Sequence, residues 1–227
     1  MANISDEARP RLGLFLREGP ALWLRLYKSF GKLCERGPEE GPKLMVVPGF
    51  VANDRTTLGL QRALAAAGYR VAGWGLGLNK GVRPDTLERL ALRLEAFGKG
   101  GKVILVGWSL GGVFARELAK ARPDLVDKVV TLGSPFSGDM RANNVWRLYE
   151  WIAGHPVDKP PIEADLPQKP PVPTLALWSR KDGIVSVRSA RGLPGESDRQ
   201  VELSCSHMGF GVSGRAYPKI IAALRDF

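Results

Sequence analysis

The stretch that decides the fold is Val-Ile-Leu-Val-Gly-Trp-Ser-Leu-Gly-Gly-Val-Phe-Ala, residues 103–115. It opens with four β-branched or leucine residues, which is typical of a buried strand, and the apolar sequence after Gly112 favours a helix. Ser109 lies between them, with Gly107 two residues before it and Gly111 two residues after it. A strand that turns at once into a helix strains the backbone and leaves no room for side chains two positions away. The pattern therefore predicts a tight strand–turn–helix unit with Ser109 at its tip.

Strand and helix patterns alternate on both sides of this unit. Short apolar runs predict further strands at residues 43–47, 69–74, 127–132, 174–178 and 199–203. Amphipathic stretches predict helices at 54–67, 87–97, 142–153 and 217–227, and the proline-rich residues 154–173 predict a loop or a minimal cap. This alternation predicts an α/β fold, an open, mainly parallel sheet of about six strands with helices on both faces. Ligands bind such sheets at the carboxyl ends of the strands.

A serine hydroxyl needs a neighbouring base, and the base needs a carboxylate to orient it. The chain has two histidines, His155 in the proline-rich segment and His207 just after the last predicted strand. Asp182 follows the predicted strand 174–178, so Asp182, His207 and Ser109 are all expected at one edge of the sheet. Their order along the chain is one in which catalytic triads occur. We predict Ser109 as nucleophile, His207 as general base and Asp182 as the orienting acid.

Acyl chemistry also requires donors for the oxyanion of the tetrahedral intermediate. The backbone N–H of Leu110 follows the nucleophile and begins a helix, where negative charge is favoured. The turn Pro48-Gly49-Phe50 follows the first predicted strand and supplies a second candidate, the N–H of Phe50. These two N–H groups are the predicted oxyanion hole.

Five motifs, taken in order, resemble the α/β-hydrolase superfamily, and most of all its small bacterial serine esterases and triacylglycerol lipases. They are Pro48-Gly49-Phe50, Gly107–Gly112, Gly133-Ser134-Pro135, Ser179–Gly183 and Ser206-His207, and the resemblance covers residues 43–227. It implies cleavage of carboxylic esters through an acyl-enzyme on Ser109, with no cofactor and no metal. Many relatives carry His-Gly where this chain has Pro48-Gly49, but a backbone donor does not depend on that side chain.

The substrate is expected to be a small-molecule or lipid ester. Trp74, Trp108, Phe136 and Trp146 are candidates for an apolar pocket wall. The same triad also serves an acyltransferase, a thioesterase or a lactonase. A further alternative is a catalytically inactive module that binds a lipid or an anionic surface.

Residues 1–42 form an N-terminal extension outside the hydrolase domain of residues 43–227. Within it, residues 21–33 predict an amphipathic helix with an apolar stripe and a basic side. We expect this helix to pack against its own domain; a weak contact with a membrane surface is the alternative.

The composition excludes several other classes of protein. The net charge of +10 is spread along the chain, without the basic run and interleaved aromatics of a nucleic-acid site. No apolar run approaches the roughly 20 residues of a membrane span, and the acidic start is unlike a signal peptide. A cytoplasmic location is expected, with peripheral membrane contact as the alternative. Cys34 and Cys205 fit no metal spacing and are expected to be unpaired thiols.

Overall fold

The computed structural model describes residues 8–19, 35–139, 141–158, 161 and 164–227. Six strands of these ranges form one sheet, in the order β2-β1-β3-β4-β5-β6, and each neighbouring pair runs parallel. The strands are β1 Lys43–Val47, β2 Arg70–Gly73, β3 Val103–Trp108, β4 Val126–Leu132, β5 Thr174–Trp178 and β6 Arg199–Glu202. The predicted fold class is confirmed.

A helix lies in each connection between successive strands. Because all six strands run parallel, their carboxyl ends share one edge of the sheet. The described helices are α1 Leu12–Leu16, α2 Leu58–Ala66, α3 Thr86–Gly98, α4 Leu110–Ala121, α5 Trp146–Ala153, α6 Val187–Arg191, α7 His207–Val212 and α8 Tyr217–Arg225. A segment that follows any of the six strands begins at this shared edge, where ligands of parallel sheets bind.

The core has two layers because successive side chains of a strand point to opposite faces of the sheet. In β1, Leu44 and Val46 join the cluster that includes residues of α2 and α8. Met45 and Val47 join the cluster on the other face, which includes residues of α3 and α4. Every residue of β3 is buried, so this strand lies at the centre of the fold and holds the Ser109 turn rigidly.

Some element boundaries differ from the predicted ones. Helix α2 begins at Leu58 rather than at 54, because the buried Asp54 carboxylate accepts bonds from the N–H groups of Trp74 (2.8 Å) and Gly75 (3.0 Å) instead of capping the helix. Helix α5 begins at Trp146 rather than at 142. His207 was expected in a loop, but it begins helix α7, where the Ser206 hydroxyl accepts a bond from Gly209 N.

The described parts of the N-terminal extension contact the rest of the chain. Arg36 forms an isolated antiparallel bridge with Val71 of β2. Farther towards the N-terminus, the Asn144 amide donates to the Pro10 carbonyl at 3.0 Å. The predicted helix at 21–33 lies outside the described residues. None of the helices within the described ranges has the length and apolar character needed to cross a membrane.

Candidate active site

Ser109 lies at the strained turn that its flanking glycines predict. Its backbone has φ +54° and ψ −125°, outside the regions that residues with a Cβ normally adopt. A Cβ on Gly107 would overlap the Cα of Gly112, and one on Gly111 would overlap the Val47 carbonyl. The turn therefore requires glycine at both positions, and it places Ser109 between β3 and the first turn of α4.

Asp182 and His207 form a buried pair. His207 Nδ1 and Asp182 Oδ2 are 2.7 Å apart, and the two residues are 2% and 3% exposed. The other carboxylate oxygen of Asp182 accepts bonds from the N–H groups of Ile184 and Val185, both at 2.8 Å. With the carboxylate ionised, Nδ1 is the donor of this pair, and in a neutral ring Nε2 is then the acceptor.

The backbone around His207 is tied to Trp108, the residue before Ser109. The indole Nε1 of Trp108 donates to the His207 carbonyl at 3.1 Å, and the two rings lie with their centroids 5.9 Å apart. A Cβ on Gly211 of α7 would lie 2.7 Å from the Trp108 ring, so this helix packs directly on the indole. Trp108 thus couples the position of His207 to the Ser109 turn.

The second histidine occupies a different environment. His155 Nε2 lies 3.4 Å from the Tyr149 hydroxyl and 3.2 Å from the Val82 carbonyl. Its other ring nitrogen faces the Pro156 carbonyl at 3.0 Å. These contacts hold the segment after α5 against the loop before α3, whereas Asp182 pairs with His207.

The two predicted oxyanion donors belong to residues that line the same cavity as Ser109, namely Phe50 and Leu110. A Cβ on Gly49 would lie 3.1 Å from the Ser109 Cβ, so the turn that carries Phe50 packs closely on the serine. The next residue, Val51, has φ +52°, a conformation in which a β-branched residue is a genuine outlier.

Asn79 holds this strained turn, and the sequence analysis did not identify it. Its side chain is 1% exposed and donates to the Pro48 carbonyl at 2.9 Å. Its backbone carbonyl accepts from Val51 N at 2.7 Å, and its N–H donates to the Ala52 carbonyl at 2.8 Å. No sequence motif marks the residue, because its partners are backbone groups about 30 residues away.

Ser109 opens on a cavity of about 500 Å³ with a mainly apolar wall. The wall is formed by the first turns of α4, the Phe50 turn, the chain that enters α3, the turn after β4, α5 and the residues before it, the residues after Asp182, and the segment around residue 158. Its residues are Phe50, Val82, Leu87, Ser109, Leu110, Val113, Phe114, Glu117, Pro135, Asn143, Val145, Tyr149, Val157, Asp158, Ala164, Leu166, Ile184 and Val185. Burial raises the pKa of the Glu117 carboxyl in this wall.

The four aromatic residues expected in the pocket wall do not line this cavity. Trp74 is buried in the α3–α4 side of the core and donates to the Gly77 carbonyl at 2.9 Å. Trp108 lies beside His207, and Phe136 is covered by the Arg116 guanidinium, 4.1 Å from the ring centroid. Trp146 faces three guanidinium groups, those of Arg9, Arg141 and Arg147. Phe50, Phe114 and Tyr149 supply the aromatic wall instead.

Cys205 is a free thiol, and Cys34 lies outside the described residues. In the described ranges, no three side chains among His, Cys, Asp and Glu are grouped so that they could hold a metal ion.

Known proteins show the same architecture. The family model for the alpha/beta hydrolase fold matches residues 84–159. The carboxylesterase CesB (YbfK) from Bacillus subtilis superposes with a TM-score of 0.60 over 95% of this chain and 99% of its own, at 13% identity. The monoacylglycerol lipase from Paleococcus ferrophilus superposes with a TM-score of 0.59 over 85% and 96%, at 16% identity.

One curated protein is similar in sequence over a short stretch. The biotin biosynthesis bifunctional protein BioHC from Teredinibacter turnerae is 35% identical over 60 residues, which are 26% of this chain and 10% of that protein. The resemblance found in the motifs is therefore confirmed, and the protein has the fold of the α/β-hydrolase superfamily.

Proposed function

We propose that the protein is a serine hydrolase that cleaves carboxylic esters through an acyl-enzyme on Ser109. The observation that carries this proposal is the buried Asp182–His207 pair, joined through Trp108 to the strained Ser109 turn. Nucleophilic acyl chemistry needs a serine on a sharp turn and an imidazole that a buried carboxylate orients, and both parts occur at the same edge of this sheet.

In the proposed reaction, Ser109 Oγ attacks the ester carbonyl carbon while Nε2 of His207 takes the hydroxyl proton. Asp182 holds the Nδ1–H and stabilises the imidazolium, and the N–H groups of Phe50 and Leu110 bind the oxyanion. The C–O bond to the alcohol then breaks, and His207 returns the proton to the leaving alkoxide. Water, activated by His207, releases the acid from Ser109 by the same steps in reverse.

The cavity supports a substrate with an apolar group next to the ester. Its volume of about 500 Å³ falls in the ordinary range for small-molecule sites, and its wall is mainly apolar. A small-molecule or lipid ester with an aliphatic or aromatic group fits this wall better than a strongly charged one.

The test is hydrolysis of p-nitrophenyl esters with acyl chains from C2 to C16 by the wild type and by Ser109→Ala. Loss of one triad member is expected to lower kcat by about 10⁴-fold or more. The exposed serine variant Ser204→Ala is the matched control and should retain wild-type activity. Equal rates for the wild type and Ser109→Ala would show that Ser109 is not the nucleophile.

The same site would serve acyl transfer to an acceptor other than water, or the opening of a thioester or lactone. Analysis of the products separates hydrolysis from acyl transfer. A hydrolase gives the free acid from an ester substrate whichever acceptors are added. A product in which the acyl group is carried by an added alcohol, thiol or amine at the expense of the acid would assign transferase activity instead.

A further inference from the structure

A buried glutamate from the N-terminal extension contacts both loops that carry the Asp182–His207 pair. Glu18 is 4% exposed. Its Oε1 accepts bonds from His207 N at 2.7 Å and from Gly183 N at 3.1 Å, and its Oε2 accepts from Met208 N at 3.0 Å. The two loops are otherwise separated along the chain by α6 and β6, so this one carboxylate bridges distant segments.

A carboxylate is costly to bury, and hydrogen bonds from N–H groups compensate for the lost water. All three donors named above are backbone groups, and each belongs to the acid or the base or to its immediate neighbour. Gly183 directly follows Asp182, and Met208 directly follows His207. The carboxylate therefore fixes the backbone of both partners independently of the bond between their side chains.

Two further contacts hold the N-terminal segment in this place. A Cβ on Gly183 would lie 2.5 Å from the Leu14 carbonyl, so the segment approaches the acid loop to a distance that only glycine allows. The Asn144 amide donates both to the Pro10 carbonyl at 3.0 Å and to the Gly183 carbonyl at 2.8 Å. The segment from Pro10 to Glu18 is thus attached to the acid loop at several points.

We propose that Glu18 is a positioning residue for catalysis, which sets the Asp182 loop and the start of helix α7 at the separation that the Asp182–His207 bond requires. The proposal rests on the proposed function of the pair. It assigns a role to a residue outside the segment that resembles hydrolases, and it makes part of the N-terminal extension a component of the active site.

The test compares Glu18→Gln with the wild type and with Glu40→Gln, which makes the same change at an exposed glutamate of the same extension. Glutamine keeps the size of the side chain, but its NH₂ group would face N–H donors. We expect Glu18→Gln to lower kcat by about 10- to 100-fold, the size of effect that small misplacements of catalytic groups produce. KM should change less than about twofold, because Glu18 does not line the cavity.

A second measurement reports on the pair itself. The proton between His207 Nδ1 and Asp182 Oδ2 should give a separate low-field ¹H resonance in the wild type and in Glu40→Gln. In Glu18→Gln we expect this resonance to shift or broaden, while far-ultraviolet circular dichroism and cooperative thermal unfolding persist. The NMR signal does not depend on ester hydrolysis, so it tests the positioning role even if the wild type cleaves no ester.

The proposal is overturned if Glu18→Gln keeps kcat within twofold of the wild type and leaves the low-field resonance unchanged. It is also overturned if Glu18→Gln unfolds at the assay temperature, since Glu18 would then support the fold as a whole. A wild type without esterase activity but with a resonance that Glu18→Gln alters would contradict the proposed function and leave the positioning role supported.

Discussion

Asn79 shows how a residue without any motif determines the geometry beside Ser109. Its side-chain amide donates to the Pro48 carbonyl at 2.9 Å, and its Oδ1 accepts from Gly81 N at 3.1 Å. These bonds hold the turn that presents the Phe50 N–H while the following Val51 is at φ +52°. A strained residue stays in place only where its surroundings determine it strongly.

Replacement of Asn79 by alanine should therefore affect both stability and catalysis. The buried Pro48 carbonyl and Gly81 N–H would lose their partner, which costs about 1–3 kcal/mol of unfolding free energy. We expect kcat to fall about 10-fold because the Phe50 N–H is no longer held in place, a smaller loss than removal of an oxyanion donor causes. Denaturant unfolding and ester kinetics measure the two effects.

Asn53→Ala is the control for this prediction. Asn53 lies in the loop after β1 that Asn79 contacts, and its side chain bonds to Thr56 rather than to the Pro48 turn. It should lose some stability and keep kcat. Equal losses of kcat in both variants would assign the effect to the loop in general and not to Asn79.

Cys205 is the other residue whose chemistry follows from its surroundings. Burial raises the pKa of this thiol to about 12, and the negative charges of Asp182 and Glu18 act in the same direction. The neutral thiol is therefore favoured in the folded protein. The unfolded chain releases this proton at a lower pH than the folded protein, so the free energy of unfolding is unaffected below the unfolded pKa and falls as the pH rises from there towards 12.

In a Cys34→Ser background, iodoacetamide at pH 8 should leave Cys205 unmodified in the folded protein and alkylate it after unfolding in urea, because only the thiolate reacts. Intact mass measures the modification. Alkylation of the folded protein at the rate seen in urea would contradict the raised pKa of this half-buried thiol.

At the scale of elements, helix α4 contributes to the candidate site in two ways. Its first residue, Leu110, is a predicted oxyanion donor, and its next turns form part of the cavity wall. Val113 and Glu117 face the cavity from successive turns. A larger side chain at 113 would therefore reduce the volume of the cavity.

Val113→Phe should shorten the cavity and change the acyl-chain preference. We expect kcat/KM for p-nitrophenyl esters longer than about C8 to fall at least 10-fold relative to the C2 ester, because steric overlap in a packed wall costs about 1–3 kcal/mol. The control is Leu92→Phe on the exposed side of α3, where the side chain is 59% exposed. An unchanged ratio of long-chain to short-chain rates in Val113→Phe would show that the acyl chain does not enter past Val113.

The elements themselves could be predicted to different extents. Strand β3 and the Ser109 turn have local signatures, an apolar run and two obligatory glycines, so they were predicted closely. Helix α2 was predicted four residues too long at its N-terminus. The Asp54 carboxylate does not cap this helix, because it accepts a bond from the N–H of Trp74, which follows β2. The short helix α7 was missed, since it has only six residues and its packing on Trp108 is a contact between distant parts of the chain.

At the scale of the whole molecule, the parallel sheet brings Ser109, Asp182 and His207 to one edge, and this much followed from the alternation of strands and helices. The residues that line the cavity could not be predicted in this way, because an aromatic residue in the sequence can belong either to the core or to a pocket. Phe136 lies under Arg116, whereas Tyr149 of α5 reaches the cavity. The Glu18 contacts were also beyond prediction, since they join residues about 165–190 positions apart.

The central claim is that Ser109 is the nucleophile of this site, and covalent labelling with a fluorophosphonate tests it most directly. The wild type should gain the mass of one adduct, peptide mapping by tandem mass spectrometry should place that adduct on Ser109, and Ser109→Ala should gain none. An adduct on any other serine, or equal labelling of the wild type and Ser109→Ala, would contradict the account.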